Sequence, residues 1–455
     1  MANLVLILFF AGSILFLLKR IVHLNTKFYL IQFLLIYVFY FGLFEYFGVP
    51  SLLLKIIIDG FFLVLLTIYF ARYEKYTPGF TLFILLTLIV VFSTVLNESN
   101  LYHSFTYYRT FLYPYLLFVF VFNSTLPEKK WKELNHFLTV LFIIQIFASL
   151  YKFVFLGITE KGLIGTITTS GGVYSTILPL FAISFLISSF LFYERRRRYI
   201  YLIIAFLFMG FVGAKRGIWL YFPMILISSL YFFQRITQIP VFSRRLVFVG
   251  LTILIVGFGA VYLGGKYNRS LNPENRIGGS FDLEYISNFA IEYSFHESEY
   301  GEISYGRAAN FISVLEYMYK SPVMNILFGF GPDAAKGTST YGEGIWGEMR
   351  IAGPVTGLTL LLVQLGLAGV FIILTTFYFI GRFFYTLTKT IMIPYWKSFA
   401  FAGFLIIILF FFDFLTYSSS IISTIFPLSF TLFYILGVLL RNKNVLINLH
   451  NLQES

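Results

Sequence analysis

The side chains best suited to chemistry are a few cations set beside glycines. Gly213-Ala-Lys215-Arg216-Gly217 holds two adjacent cations between two glycines, which let backbone approach a ligand closely. Ser304-Tyr305-Gly306-Arg307 sets a guanidinium fork, with Tyr305 nearby, at the head of a segment with helical spacing. Arginine suits bidentate phosphate binding, and the amides of a helix N-terminus favour the same anion. Tyr107-Tyr108-Arg109 offers a further cation, which either helps to hold an anion or anchors at an interface beside its tyrosines. Glu348-Met-Arg350 supplies a carboxylate that could serve as general base towards a sugar hydroxyl. Arg350 is then either its counterion or another cation for the substrate.

Other candidates are weaker. Gly329-Phe-Gly331-Pro332-Asp333 could form a tight turn, either one that binds an anion or one that touches no ligand. Lys336-Gly337-Thr338 has the wrong residue order for a nucleotide-binding P-loop. His296 with Glu297 and Glu299, and Asp282 with Glu284, lack the spacing of metal ligands, so no metal or other cofactor is expected. Zero cysteines remove disulfides and thiol nucleophiles. Asp59 and Asp413 lie within or beside apolar runs, where an acid suggests a proton or cation path.

What must position these residues follows from composition. Of 455 residues, 58% are apolar and 12% charged, far from the roughly 45–50% and about 25% of soluble chains. At about 20 residues per span, that content fills about 13 membrane helices. Apolar runs at residues 2–18, 28–47, 51–71, 79–96, 111–123, 136–157, 173–193, 199–213, 217–233, 246–264, 356–380, 398–416 and 421–440 give the same count, within a range of 12–14. The fold class is therefore an all-α polytopic transmembrane bundle. Aromatic residues make up 21%, more than interfacial belts require, so many rings must meet lipid or each other along helix faces.

The net charge of +12 could indicate a nucleic-acid partner, but the positions of the charges argue otherwise. Alternate gaps at residues 19–27, 72–75, 128–133, 194–198, 235–245, 382–397 and 441–454 together carry +15, which the positive-inside rule assigns to the cytoplasm. No nucleic-acid partner is expected. The odd span count then puts the N-terminus outside and the C-terminus inside. Residues 2–18 lack a basic leader and precede Lys19-Arg20, and they read as a retained span. Lys215 and Arg216 fall on the external side, against the charge rule, which marks them as functional.

Residues 1–264 thus form a ten-span bundle, 265–355 one large external loop, and 356–455 three spans with a short tail. The loop carries a net −4, and external function should concentrate there. Within it, Ala308, Phe311, Ile312, Leu315 and Met318 recur at helical spacing from Arg307 to Lys320, and Ser321-Pro322 ends the run. This predicts an amphipathic helix lying at the outer membrane boundary.

The order of these parts resembles the O-antigen ligase and polymerase family of bacterial inner-membrane glycosyltransferases. The resemblance rests on Ala214-Lys215-Arg216-Gly217 between two spans, then Gly306-Arg307 opening an amphipathic helix, Pro322, Gly-x-Gly-Pro at Gly329 to Pro332, and re-entry through Gly353 to Gly369. It covers about residues 210–370, and the first 200 residues match only as helical spans. It implies a donor glycan on undecaprenyl diphosphate, a lipid-linked acceptor, metal-independent transfer at the periplasmic face of the inner membrane, and a chain-length regulator as a further partner. Arg216 and Arg307 would match the two arginines that bind the donor diphosphate, with Glu348 as base and Lys215, Arg109, Arg350 and Tyr305 contacting diphosphate or glycan. Ligases of the family carry a histidine near the loop's end. This chain has none there, which favours a polymerase over the alternative of a ligase. A flippase for the same lipid-linked sugar is the alternative from another class.

Overall fold

The computed structural model describes residues 24–72, 77–157, 165–167, 174–212, 217–238, 306–334, 344–349, 351, 355–416 and 426–451, with isolated positions between 255 and 288. Among these the chain is all-helical, without strands. The helices are α1 (Leu24–Phe39), α2 (Phe41–Tyr46), α3 (Ser51–Arg72), α4 (Phe80–Leu96), α5 (Leu101–Phe122), α6 (Glu128–Leu156), α7 (Tyr174–Phe192), α8 (Arg197–Val212) and α9 (Gly217–Thr237). They continue as α10 (Arg307–Tyr319), α11 (Val323–Phe328), α12 (Gly344–Glu348), α13 (Gly357–Thr390), α14 (Pro394–Thr416) and α15 (Phe426–Asn451). Three of them, α6, α13 and α14, are long and apolar enough to cross a membrane by length and composition. The spans expected at residues 2–18 and most of 246–264 lie outside the described residues.

Five helices close into a ring: α14 packs on α13, α13 on α4, α4 on α5, α5 on α15, and α15 on α14. α7 and α9 pack on the outside of α14, α3 lies against α5, and α1 against α6. Small residues allow the close approaches. A Cβ on Gly437 would lie 2.8 Å from Val121 Cγ1, and one on Gly403 would lie 2.8 Å from the Phe384 ring. The rings meet each other as composition requires: Phe83 stacks on Tyr115 at 4.1 Å and Phe62 on Tyr113 at 4.4 Å. Outward faces are apolar too, with Leu88, Val91 and Val95 of α4 and Phe147, Val154 and Phe155 of α6 exposed. Soluble proteins rarely present such surfaces.

Contacts sort the connecting turns into two groups. On one side the Trp396 indole donates to Glu128 at 3.0 Å, Lys132 lies over Tyr395, Lys130 over Phe28 and Lys397 over Phe192. On the other, Thr166 meets Phe39, Asn97 meets Gly329, Asn100 meets Asp333, and Tyr221 meets Thr416. These groups coincide with the two sets of gaps separated by charge.

Several helices differ from their apolar runs for identifiable reasons. The run at 28–47 is interrupted at Tyr40, between α1 and α2. Residues 165–167 fill the break: Gly42 N–H donates to Ile167 O, Leu43 N–H to Thr166 O, and the Thr166 hydroxyl to Phe39 O. The short run at 111–123 belongs to a 22-residue helix, because the segment carrying Arg109 continues it upward from an Asn100 cap. The run at 136–157 likewise extends back to Glu128. α13 is broken at Gly366, whose φ of 63° and ψ of −162° are not helical.

That break receives the turn Gly329–Asp333. Phe330 N–H donates to Val363 O at 2.7 Å, the Gln364 amide to Pro332 O at 2.9 Å, and the Ser93 hydroxyl to Gln364 O at 3.0 Å. A Cβ on Gly366 would sit 2.5 Å from the backbone of Leu327 and Gly329, and one on Gly329 2.5 Å from that of Gln364. Only glycine permits both the contact and the positive φ at these positions. Gly366→Ala should therefore destabilise the fold by about 3 kcal/mol or more, combining overpacking with left-handed strain. Thermal unfolding of the purified chain in detergent checks this, with Gly60→Ala, at a site with open space, as the unperturbed control.

Candidate functional site

Helix α10 is built as its pattern predicts. It starts at Arg307 after Gly306, and its last residue, Tyr319, precedes Lys320 and the stop at Ser321-Pro322. Pro322 then caps α11, which leads within six residues into the docked turn. The apolar set splits between two faces. Val314 and Met318 are buried and Phe311 packs against the core, whereas Ile312 and Leu315 point outward, the side on which a membrane-lying helix meets lipid. Asn310 is buried between these apolar groups, and its N–H bonds Gly306 O at 2.8 Å.

Arg307 is half-buried at the N-terminus of α10. Glu348, at the end of α12, is exposed and is brought to the same helix: the Tyr317 hydroxyl donates to its Oε2. Arg307 and Tyr317 are ten residues apart, about 15 Å along the axis. The two expected site residues are thus brought towards opposite ends of one short helix. The bond to Glu348, followed by partial burial and its negative charge, pushes the Tyr317 hydroxyl up to about 12. The hydroxyl therefore stays protonated, and a donor, throughout the physiological range. Trp346 and Met349 are buried on either side of Glu348 and fix the backbone of α12.

Lys215, Arg216, Tyr305 and Arg350 lie outside the described residues, as does Glu343. The helix that follows Arg216 is described from Gly217 onward. A Cβ on Gly217 would lie 3.1 Å from Thr176 Cγ2, and Tyr221 one turn deeper bonds Thr416 at 2.9 Å. Asp413, three residues before Thr416, is fully buried in α14.

Arg109 and Asp59, read separately in the sequence, form one group. Arg109 Nη1 donates to both Asp59 oxygens at 2.9 and 3.2 Å, and the Tyr113 hydroxyl donates to Oδ1 at 2.6 Å. Each is the ninth residue of its helix, about 12 Å along the axis from the helix start. The pairing gives each half-buried charge a counterion, so anion binding by Arg109 would have to share it with Asp59. The neighbouring tyrosines divide their roles, with Tyr108 bonded to Thr87 at 2.8 Å and Tyr107 buried.

Below lies an apolar cavity of about 270 Å³ inside the five-helix ring, lined by Phe83, Phe111, Pro114, Tyr115, Phe377 and Phe433 among others. Thr110, next to Arg109, and Ser429 are among its few polar lining residues.

Sequence reasoning missed two partners, Tyr317 for Glu348 and Asp59 for Arg109. The equal depth of Asp59 and Arg109 becomes visible only once the helix carrying Arg109 is seen to begin at Leu101. Comparison with protein-family models and with curated proteins finds no match. The family resemblance accordingly rests on the order of the motifs.

The Arg109–Asp59 pair gives a direct test. Asp59→Leu or Arg109→Leu alone leaves one charge among apolar helices and should destabilise the chain, whereas the double substitution should recover part of the loss. A double-mutant cycle on thermal unfolding should return a coupling of about 1–3 kcal/mol.

Proposed function

We propose that the chain is a polysaccharide polymerase of a bacterial inner membrane, with about 13 spans and its active site on the periplasmic side. It extends a glycan carried on undecaprenyl diphosphate. The observation that carries this reading is the placement of Arg307 and the Glu348–Tyr317 pair at the two ends of one short helix. Support also comes from the sorting of turns by contact, which agrees with the sorting by charge, and from the apolar cavity, which offers space to a lipid tail.

In this mechanism an acceptor-sugar hydroxyl attacks the anomeric carbon of the donor. The new carbon–oxygen bond forms as the bond to the diphosphate oxygen breaks, and its electron pair leaves with the diphosphate. Arg216 and Arg307, with Lys215 beside them, stabilise the charge that develops there, and preorganised cations can do this without a metal. Glu348 accepts the proton of the attacking hydroxyl. Tyr305, Arg109 and Arg350 contribute contacts to diphosphate or glycan, and direct displacement inverts the anomeric configuration.

Arg216→Ala and Arg307→Ala should each lower transfer about 10²–10³-fold and abolish long chains, while the protein remains inserted at normal abundance. Electrophoresis of cell-surface glycan reads the result, and wild-type chain lengths in both variants would sink the proposal. The same gel from a deletion strain separates the alternatives. Single repeat units on the final acceptor indicate a polymerase, whereas a bare acceptor with long chains retained on the carrier lipid indicates a ligase. Transbilayer movement of a labelled lipid-linked sugar in reconstituted vesicles would instead indicate a flippase.

A further inference from the structure

A general base has to present a carboxylate oxygen in a fixed direction, and an exposed glutamate at the end of a five-residue helix does not do so unaided. The backbone of Glu348 is held by the buried Trp346 and Met349, by Met349 N–H to Ile345 O at 3.0 Å, and by Ile351 N–H to Trp346 O at 2.9 Å. The carboxylate itself is held by the Tyr317 hydroxyl at Oε2, and among the described residues Oε1 has no hydrogen-bond partner.

Tyr317 is well anchored for that task. Its ring packs on Phe330 at 5.4 Å, and Phe330 is bonded through its N–H to Val363 O at the broken helix. The Ser321 hydroxyl and Lys320 N–H both donate to Tyr317 O, at 2.8 and 3.1 Å. The elements around the pair bring few other charges. α11 carries none, α13 none before Arg382, α10 and the residue that caps its end add Arg307, Glu316 and Lys320, and Asp333 of the turn is engaged by Asn100.

We infer that Tyr317 is the positioning residue of this site, fixing the Glu348 carboxylate through Oε2 so that Oε1 faces the acceptor hydroxyl. The inference rests on the polymerase reading and on Glu348 as its base. Tyr317 neither gains nor loses a proton in the reaction. The proton of the attacking hydroxyl passes to Oε1.

The test uses the purified full-length chain in membrane vesicles from a deletion strain, which supply the accumulated lipid-linked repeat unit as substrate. Tyr317→Phe keeps the ring against Phe330 and removes only the hydroxyl. It should lower the maximal rate about tenfold, the loss of one hydrogen bond to a charged group, with KM for the lipid-linked unit and the thermal unfolding midpoint unchanged. In a Glu348→Gln background, itself strongly impaired, the same change should have no further effect. Tyr317→Leu, which also removes the ring, should lower the unfolding midpoint in addition. A wild-type rate in Tyr317→Phe overturns the inference. So does a fall in rate matched by a rise in KM or a lower midpoint, which marks a packing role, or a full additional loss in the Glu348→Gln background. If Glu348→Gln itself turns over at the wild-type rate, the assignment of the base fails and takes the positioning role with it.

Discussion

Backbone polar groups set the terms of this structure. In apolar surroundings an unpaired N–H or C=O costs several kcal/mol, so a helix can be broken only where other groups replace its lost hydrogen bonds. Among the described residues two helices are broken, at Tyr40 and at Gly366, and each break is filled by a segment from a connecting loop. Residues 165–167 supply the first, backed by Gln145, whose side chain bonds both the N–H and the hydroxyl of Thr166. The turn Gly329–Asp333 supplies the second, backed by Ser93, Asn97 and Gln364. Helix α10 inherits its position from this second joint, because α11 and the turn follow it within a few residues and lock into α13.

The same economy applies to charge. The half-buried acid and cation of two neighbouring helices, Asp59 and Arg109, are joined and further satisfied by Tyr113. Discontinuous helices and paired intramembrane charges often adjoin binding sites in membrane proteins, since irregular backbone is tolerated where it lines a cavity or is covered by protein. Here both features lie on the side of the molecule that carries α10 and Glu348. The apolar cavity continues below them within the five-helix ring.

Much of this was legible in the sequence. Long apolar runs located α3, α4, α7, α9 and α14 closely, because each is a plain apolar segment whose run and helix coincide. The period of Phe311, Leu315 and Met318 together with Pro322 fixed both the extent and the end of α10. The breaks were not legible, since Gly366 sits within an uninterrupted apolar run and its φ is imposed by a turn 37 residues earlier, between Gly329 and Gly366. The true start of α5 was hidden for a related reason. Arg109 ends an apolar run when read alone, but not when Asp59 neutralises it from another helix. Tyr317 escaped because a tyrosine on an amphipathic helix reads as an interfacial residue, and only the fold of residues 344–351 brings Glu348 to it.

The sources of the two plugs also order the making of the chain. Asn97, at the end of α4, finds its partners in Asn325 and Gly329, and Ser93 finds its own in Gln364. These groups leave the ribosome more than 200 residues later, so the upper end of α4 must wait in the bilayer with its polar side chains provisionally satisfied. The turn that fills α13 precedes that helix, so it can be in place before α13 is threaded, ready to receive the break as it arrives. Completion of the early helices thus depends on delivery of the late loop, and closure of the five-helix ring becomes a late event in biogenesis.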